Sequence, residues 1–249
     1  MNPERRRRRE VNALVRKLEP RDRDAVRAIA CRTAYRNRGA DLLFEDLELN
    51  ADYWTRYYTD HRPELSWVVE HDGEVVGYFF GCADTRHFVR TMARRIVPSI
   101  LARALWRLST GRYAKPESRR YLRFALTRGA KEAPKIDLHA YPAHYHCNIL
   151  RKGLGRGYYT RMTLMFLDAL EARGIAGIHG QITEPAGPSI WNRLGNEHGI
   201  DEDYTFVEVP CTMFAAVLGD ETPYVNRAWS TSVANYRMWI EWLRATHKV

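Results

Sequence analysis

The chain has 249 residues, of which 45% are hydrophobic and 12% are aromatic. This composition is typical of a globular protein and excludes an intrinsically disordered chain. No apolar run approaches the roughly 18–20 residues of a membrane-spanning helix, and the first ten residues lack the apolar segment of a signal peptide. Four widely spaced cysteines give no support for a zinc site or a disulfide framework. We therefore expect a cytoplasmic protein without a metal.

The formal net charge of +9 is unevenly distributed. Residues 86–131 contain thirteen Lys and Arg side chains against a single acid, Glu117. The remainder of the chain is mildly acidic. The basic charge is therefore a property of this segment and not of the whole fold.

The first half of the chain predicts an α/β pattern. The predicted elements are a strand over 15–18, a helix after Pro20, a helix over 52–60, and strands over 66–70 and 74–82. The last two strands flank Asp72-Gly73, which is a strong hairpin signal. Residues 86–131 then interrupt the strands with two amphipathic helices, one over 96–108 and one beyond Pro116.

The second half continues the alternation of strands and helices. The predicted elements are a strand over 136–150 with a break at Pro142, a helix that closes at Arg173-Gly174, a strand over 177–183, a short helix over 189–194, strands over 204–209 and 211–218, and a helix from about 229 to 246.

The stretch from His144 to Gly174 carries the strongest chemical signal. It predicts a strand that runs into a glycine-bearing turn, and this turn opens a helix. The first N–H groups of a helix have no partner within it, and the helix dipole places positive charge there, so such a turn binds phosphate. A phosphate-bearing cofactor is therefore predicted.

This order of elements resembles the GCN5-related N-acetyltransferase (GNAT) superfamily over roughly residues 11–218, apart from 86–131. The opening VRKLEPRDRDAV is similar to the first strand and helix of many members, EHDGEVVGYFFG to their central hairpin, and AHYHCNIL to the strand before the acetyl-CoA turn. The His-x-His in that strand and the basic insertion resemble one branch, which includes the acetyltransferase-like domain of O-GlcNAcases and its bacterial relatives.

The resemblance implies a GNAT fold of the α/β class. The central sheet would be mixed and mostly antiparallel, flanked by helices, with a basic helical insertion after the third strand. The implied division of the chain is a basic tail over 1–10, an acyltransferase domain over 11–220 that includes the insertion at 86–131, and a C-terminal helical extension over 221–249. This extension covers the acceptor side or forms a homodimer contact, and both interpretations stay open.

The cofactor motif of the superfamily, Gln/Arg-x-x-Gly-x-Gly/Ala, is only partly kept. An ungapped alignment places it on residues 154–159, where Gly157 is retained, Leu154 replaces the Gln or Arg, and Tyr159 replaces the last small residue. A register shifted to Gly153-Leu154-Gly155 lengthens the helix by about one turn, so we prefer the ungapped one. The resemblance then implies that acetyl-CoA, or another acyl-CoA, is bound by Ile149, Leu150, Arg151, Gly155, Arg156, Gly157, Tyr158 and Tyr159.

Four residues are our candidates for proton transfer: Glu184 and His146 as bases, and Tyr158 or Tyr159 as an acid. The acid of the superfamily is usually a tyrosine. Its position is held here by Trp191, and an indole is not an acid at neutral pH.

Each candidate also has a structural interpretation. Glu184 would cap a helix or lie on the surface before Pro185. His144 and His146 lie on the same side of one strand and would be half-buried sheet histidines. Paired tyrosines in the first turn of a helix more often pack than react.

The resemblance implies an N-acyltransferase that moves an acetyl or other acyl group from acyl-CoA to a small-molecule or peptide amine, by direct attack in a ternary complex. A catalytically inactive GNAT-like binding module is the alternative, because Leu154, Tyr159 and Trp191 depart from the family pattern. For residues 86–131 three roles stay open: contact with cofactor phosphates or an acidic substrate, binding of nucleic acid, and contact with an acidic acyl carrier protein.

Overall fold

A seven-stranded mixed sheet forms the centre of the computed structural model, which describes residues 13–189 and 204–246. The strands are β1 (Ala13–Lys17), β2 (Ser66–His71), β3 (Glu74–Cys82), β4 (Ala143–Ile149), β5 (Gly177–Pro185), β6 (Thr205–Cys211) and β7 (Tyr224–Ser232). Their order across the sheet is β1-β2-β3-β4-β5-β7-β6. Neighbouring strands are antiparallel except for β4 and β5, which are parallel. This architecture confirms the predicted fold class.

Helices cover both faces of the sheet. In the described part of the chain they are α1 (Arg23–Asn37), α2 (Leu47–Arg56), α3 (Thr85–Thr91), α4 (Val97–Ser109), α5 (Pro116–Thr127), α6 (Tyr158–Glu171), α7 (Met213–Leu218) and α8 (Val233–Thr246). On one face, Phe166 of α6 and Ile240 of α8 belong to the largest apolar cluster. On the other face, Val26 of α1 packs with Tyr58 and Phe80.

The basic segment is a helical insertion between β3 and β4, as predicted. It consists of α3, a π-helical turn over Met92–Ile96, α4 and α5, and it ends in a 3-10 turn over Gly129–Glu132. Ile96 and Phe124 face inward. The segment is therefore a packed part of the domain.

The C-terminal third differs from the sequence prediction in two places. The predicted strand over 211–218 is wrong beyond Cys211, because Met213–Leu218 forms α7, which Gly219 ends in a left-handed conformation. The helix predicted from about residue 229 is also wrong at its start, because Tyr224–Ser232 forms β7 between β5 and β6. Residues 224–232 of the predicted helical extension therefore belong to the sheet.

The start of β4 is a further correction. The predicted strand from residue 136 begins only at Ala143, because Pro142 cannot donate to a ladder. The preceding segment turns instead, with the Asp137 carboxylate accepting from the N–H groups of His139 and Ala140.

Among the described residues, no helix is both long and apolar enough to span a bilayer.

Candidate active site

The two parallel strands at the centre of the sheet start side by side and then separate. β4 and β5 pair only at Ala143–Ile178 and His144–His179. β3 continues to pair with β4 as far as Ile149. A gap therefore opens between β4 and β5 beyond His144.

The edge of β4 that faces this gap carries unpaired backbone groups. The N–H of Leu150 donates to the Val76 carbonyl of β3 at 2.8 Å. Because backbone groups alternate in direction along a strand, those of Cys147 and Ile149 face away from β3 and toward the gap, beyond the last ladder pair His144–His179. A polar ligand entering here meets N–H donors and C=O acceptors.

A glycine on β5 makes room for a large side chain next to the gap. A Cβ atom on Gly180 would lie 2.5 Å from the indole ring of Trp229. Trp229 in turn stacks on Tyr236 of α8 with 4.7 Å between ring centroids. Any side chain at residue 180 would displace this pair.

The turn after β4 leads from the gap to the start of α6. Gly155 and Gly157 have φ of 70° and 71°, a conformation that favours glycine. Gly157 is the N-cap residue, so no side chain caps the helix that starts at Tyr158. The N–H groups of the first helical turn consequently point outward from α6 without intrahelical acceptors. The ungapped alignment starts the helix at this same place.

His144 is held neutral at the closed end of the gap. The Thr85 hydroxyl donates to the Pro142 carbonyl at 2.6 Å, so it accepts from His144 Nδ1 at 2.7 Å. His144 Nε2 then accepts from the Tyr58 hydroxyl at 2.8 Å. Burial lowers the pKa of His144 to about 3, with smaller contributions from His179 and His146. Both ring nitrogens of His144 are hydrogen-bonded, so this residue holds Thr85 and Tyr58 in place.

His146 lies further along the gap and is less tightly held. Its Nδ1 and Nε2 atoms are 3.4 Å and 3.3 Å from the Tyr78 hydroxyl and the Asn148 amide. Its ring stacks on Trp54 of α2, with ring centroids 5.2 Å apart. Burial lowers the pKa of His146 to about 4, so the imidazole is neutral at pH 7. Hydrogen bonds this long leave the ring free to bind a further partner.

The two tyrosines at the start of α6 differ in their surroundings. Tyr158 is buried in the main apolar cluster. The Tyr159 hydroxyl lies 2.7 Å from that of Tyr145 and 2.8 Å from that of Tyr236. Tyr145 and Tyr236 are 2.6 Å apart, so the three hydroxyls form a closed triangle. No motif in the sequence marks Tyr236 or Tyr145 as partners of Tyr159.

The chain is similar to several solved structures. No protein-family profile matches the sequence. The chain is similar to SsHAT, with 27% identity and a TM-score of 0.56 over 89% of this chain and 98% of that one. The acetyltransferase candidate yncA from Salmonella typhimurium, seen with its cofactor acetyl-CoA, has 12% identity and a TM-score of 0.47 over 89% and 94%. An N-acetyltransferase from Staphylococcus aureus Mu50 has 10% identity and a TM-score of 0.45 over 89% and 99%.

The strand order and the parallel pair that separates agree with the predicted resemblance, and the overlap with SsHAT spans nearly both chains. The chain has the GNAT fold. The superfamily resemblance is thereby confirmed, and the assignment to the O-GlcNAcase-like branch stays a prediction.

Glu184 forms an ion pair with the buried Arg227. Its Oε1 atom accepts from Arg227 at 2.5 Å and from the Ser189 hydroxyl at 2.6 Å. The Arg227 side chain is only 1% exposed and also binds Glu208 at 2.6 Å and the Gly187 carbonyl at 2.5 Å. A carboxylate held in this way has a clear structural role, which the sequence does not reveal.

Two further residues bear on the chemistry, the thiol of Cys147 and the indole of Trp191. Cys147 lies on β4, and burial raises the pKa of its thiol to about 12, so it is not a thiolate at pH 7. Trp191, in the predicted helix over 189–194, lies outside the described residues.

Part of the basic charge of the insertion is neutralised within the GNAT domain. Arg107 donates to Asp46 at 2.6 Å and to Glu48 at 2.5 Å. Arg103 donates to Asp52 at 2.6 Å and also contacts Glu48. These arginines hold α4 against α2, and they are not free for cofactor phosphates or an acidic substrate.

Proposed function

We propose that this GNAT protein transfers an acyl group from acyl-CoA to the amine of an acceptor by direct attack. One observation carries the proposal: the unpaired edge of β4 leads to the uncapped first turn of α6, so unpaired N–H groups lie at both ends of one path. An acyl thioester with phosphates at its far end matches this path. Amide donors stabilise negative charge on the carbonyl oxygen, and a helix start attracts phosphate.

The residues of the predicted cofactor site have separate tasks in this proposal. The backbone of Ile149, at the open end of the gap, would bind the chain that links thioester and phosphates. Leu150 is buried against the α1 side of the sheet, so its side chain anchors the strand end. The turn over 155–159 would hold the phosphates through its N–H groups. Bound acyl-CoA supplies an activated carbonyl carbon.

The reaction requires three changes of bonding. The acceptor nitrogen forms the new C–N bond, the C–S bond breaks with its electron pair on sulfur, and the nitrogen loses a proton. The N–H group of Cys147 is the donor for the carbonyl oxygen, since it faces the gap just beyond the point where β4 and β5 part.

His146 is the proton acceptor in this mechanism. It is neutral at pH 7, lies on β4 next to the gap, and has only long contacts through its ring nitrogens. Glu184 is a weaker candidate because Arg227 and Ser189 already occupy one of its oxygens. The burial of Tyr158 supports a packing role for that residue.

Tyr159 is the proton donor that we propose for the departing sulfur. Burial raises its pKa to about 12, so its hydroxyl keeps its proton at pH 7. Tyr145 and Tyr236 can each pass a proton to it through the hydroxyl triangle. Tyr159 would thus replace the tyrosine whose position Trp191 occupies.

The first experiment is a thermal shift with acetyl-CoA, followed by an assay for free thiol with an amine panel. Ligand at 100 times its Kd adds roughly 2.7 kcal/mol of apparent stability. His146→Gln should lower kcat about 10²- to 10⁴-fold and leave the Kd of acetyl-CoA unchanged. His139→Gln, on an exposed turn, is the matched control. No shift with any acyl-CoA contradicts the proposal.

The alternative of an inactive binding module has a specific observation in its favour. Leu154, at the position where the family has Gln or Arg, is 56% exposed and offers no polar side-chain group to a phosphate. A thermal shift with acetyl-CoA but no thiol release with any amine would favour this module over the enzyme.

A further inference from the structure

Four aromatic side chains from separate parts of the chain lie near one another, and one of them contacts His146. We call them the aromatic recess: Tyr35 at the end of α1, Tyr53 and Trp54 on α2, and Tyr121 on α5. Trp54 stacks on His146, and Tyr53 contacts Trp54 edge-on with 5.2 Å between ring centroids. The recess therefore starts at the strand that borders the gap.

Two rings of this group are partly exposed to solvent. Tyr53 is 45% exposed and Trp54 is 40% exposed. Burial nevertheless raises the pKa of Tyr53. A ring can be both solvent-exposed and raised in pKa when protein surrounds it on several sides, and we infer this setting for Tyr53. The pKa of Tyr35 is also raised, first by burial and then by Tyr121 and Tyr53, so these hydroxyls lie near one another.

The backbone beneath Tyr35 is strained. Tyr35, Arg36 and Asn37 have φ of 50°, 60° and 67°, a left-handed conformation that costs each non-glycine residue about 1–3 kcal/mol. Packing with edge-to-face contact against Phe214 of α7 holds the Tyr35 ring in place. Strain of this kind persists mainly at ligand sites, where it fixes a side chain.

The insertion contributes a wall to the recess. Tyr121 of α5 stacks on Phe44 with 5.3 Å between ring centroids. The neighbouring Arg103 and Arg107 turn away to the acids of α2, as described above. The recess is thus lined by π faces and phenol hydroxyls, which attract flat apolar groups and cations.

We propose that the aromatic recess binds the acceptor, and that this acceptor is a primary amine carried on an aromatic or other flat apolar group. The inference rests on the proposed acyl transfer, because it names the acceptor class of the same site. The position of Trp54 supports this acceptor class most strongly. Trp54 touches both the recess and His146, so an amine bound on Trp54 is delivered to the proposed proton acceptor.

The kinetic test compares two amines with acetyl-CoA: 2-phenylethylamine, and glutamate as the anionic probe. We expect kcat/KM to favour 2-phenylethylamine, and Trp54→Ala to raise its KM about tenfold or more with the Kd of acetyl-CoA unchanged. Trp106→Ala, at an indole 63% exposed on α4, is the matched control and should change neither. A preference for glutamate, or a KM unaffected by Trp54→Ala, overturns the inference and leaves the acyl transfer standing.

A binding test needs no turnover. Titration with 2-phenylethylamine should quench tryptophan fluorescence in the wild type and Trp106→Phe, but not in Trp54→Phe, which keeps a ring in place. Quenching that depends on Trp54, without transfer from any acyl-CoA, supports the recess while the proposed reaction fails. Equal quenching in all three proteins overturns the recess as the binding site.

Discussion

The hydroxyl of Tyr159, in the first turn of α6, lies 2.8 Å from the hydroxyl of Tyr236 in α8. Tyr145 of β4 closes the triangle at 2.7 Å and 2.6 Å. Three hydroxyls in a ring each donate once and accept once, so all three donors are satisfied without water. The ring explains how α6 accommodates a tyrosine at the motif position that is small elsewhere: the side chain turns toward Tyr145 and Tyr236.

Removal of one hydroxyl from this ring should destabilise the protein. In Tyr236→Phe, one donor among the remaining two hydroxyls loses its acceptor, and an unsatisfied buried group costs about 1–3 kcal/mol. Chemical denaturation measures the change in the free energy of unfolding. Tyr224→Phe is the control, because the Tyr224 hydroxyl has only a 3.5 Å contact with Asp220. Equal stability of Tyr236→Phe and the wild type would show that the ring contributes nothing.

The lowered pKa of His144 predicts acid sensitivity. The unfolded chain binds a proton near pH 6.5, whereas burial holds the pKa in the folded protein at about 3. Since the unfolded state binds more protons in this range, stability should fall as the pH drops from 6.5 toward 3. Tm measured against pH should decline less steeply in His144→Gln. Parallel curves for the two proteins would contradict the shift.

Arg227 should be more important for stability than for the reaction. Arg227→Met leaves the carboxylates of Glu184 and Glu208 without their partner. Because these carboxylates are 17% and 39% exposed, we expect a loss of about 1–3 kcal/mol, less than for a fully buried pair. Glu184→Gln keeps a hydrogen-bond acceptor and should leave kcat within about tenfold of the wild type. A drop comparable to that in His146→Gln would make Glu184 the base instead.

Gly157 offers a test of the phosphate end of the path. Gly157→Ala strains a left-handed residue by about 1–2 kcal/mol and reorients the N–H groups at the start of α6. Gly174→Ala, at φ of 67° with open space at its Cβ position, imposes the same strain beyond the other end of this helix. Calorimetry with acetyl-CoA should show weaker binding in Gly157→Ala alone. Weakening by both variants would indicate a general loss of structure.

Local patterns in the sequence were sufficient for much of the fold. The Asp72-Gly73 turn predicts the hairpin of β2 and β3, and the glycine turn predicts where α6 begins, because both signals depend on neighbouring residues only. The strand β7 was missed because its aromatic residues suggested an amphipathic helix, while Trp229 instead packs against Gly180 across the sheet. Such a pairing joins distant parts of the chain and leaves no periodic signal.

The candidate site could likewise be predicted only where it depends on neighbouring residues in the sequence. His146 and Gly157 belong to recognisable local patterns. The ion pair of Arg227 with Glu184 and the meeting of Tyr159 with Tyr236 depend on how β7 and α8 return to the centre, which spacing alone does not encode.

The two-residue pairing of β4 with β5 has a mechanical consequence. The sheet consists of a four-strand part and a three-strand part that share only this short junction of ladder bonds. Beyond the junction, Tyr145 lies on β4 of the first part, and Tyr236 lies on α8, which follows β7 of the second part. The hydrogen bond between their hydroxyls therefore connects the two parts across the opening. The opening is therefore spanned by side chains and not by strand pairing, because the ion pairs of Arg237 in α8 with Asp168 and Glu171 in α6 also join the two parts.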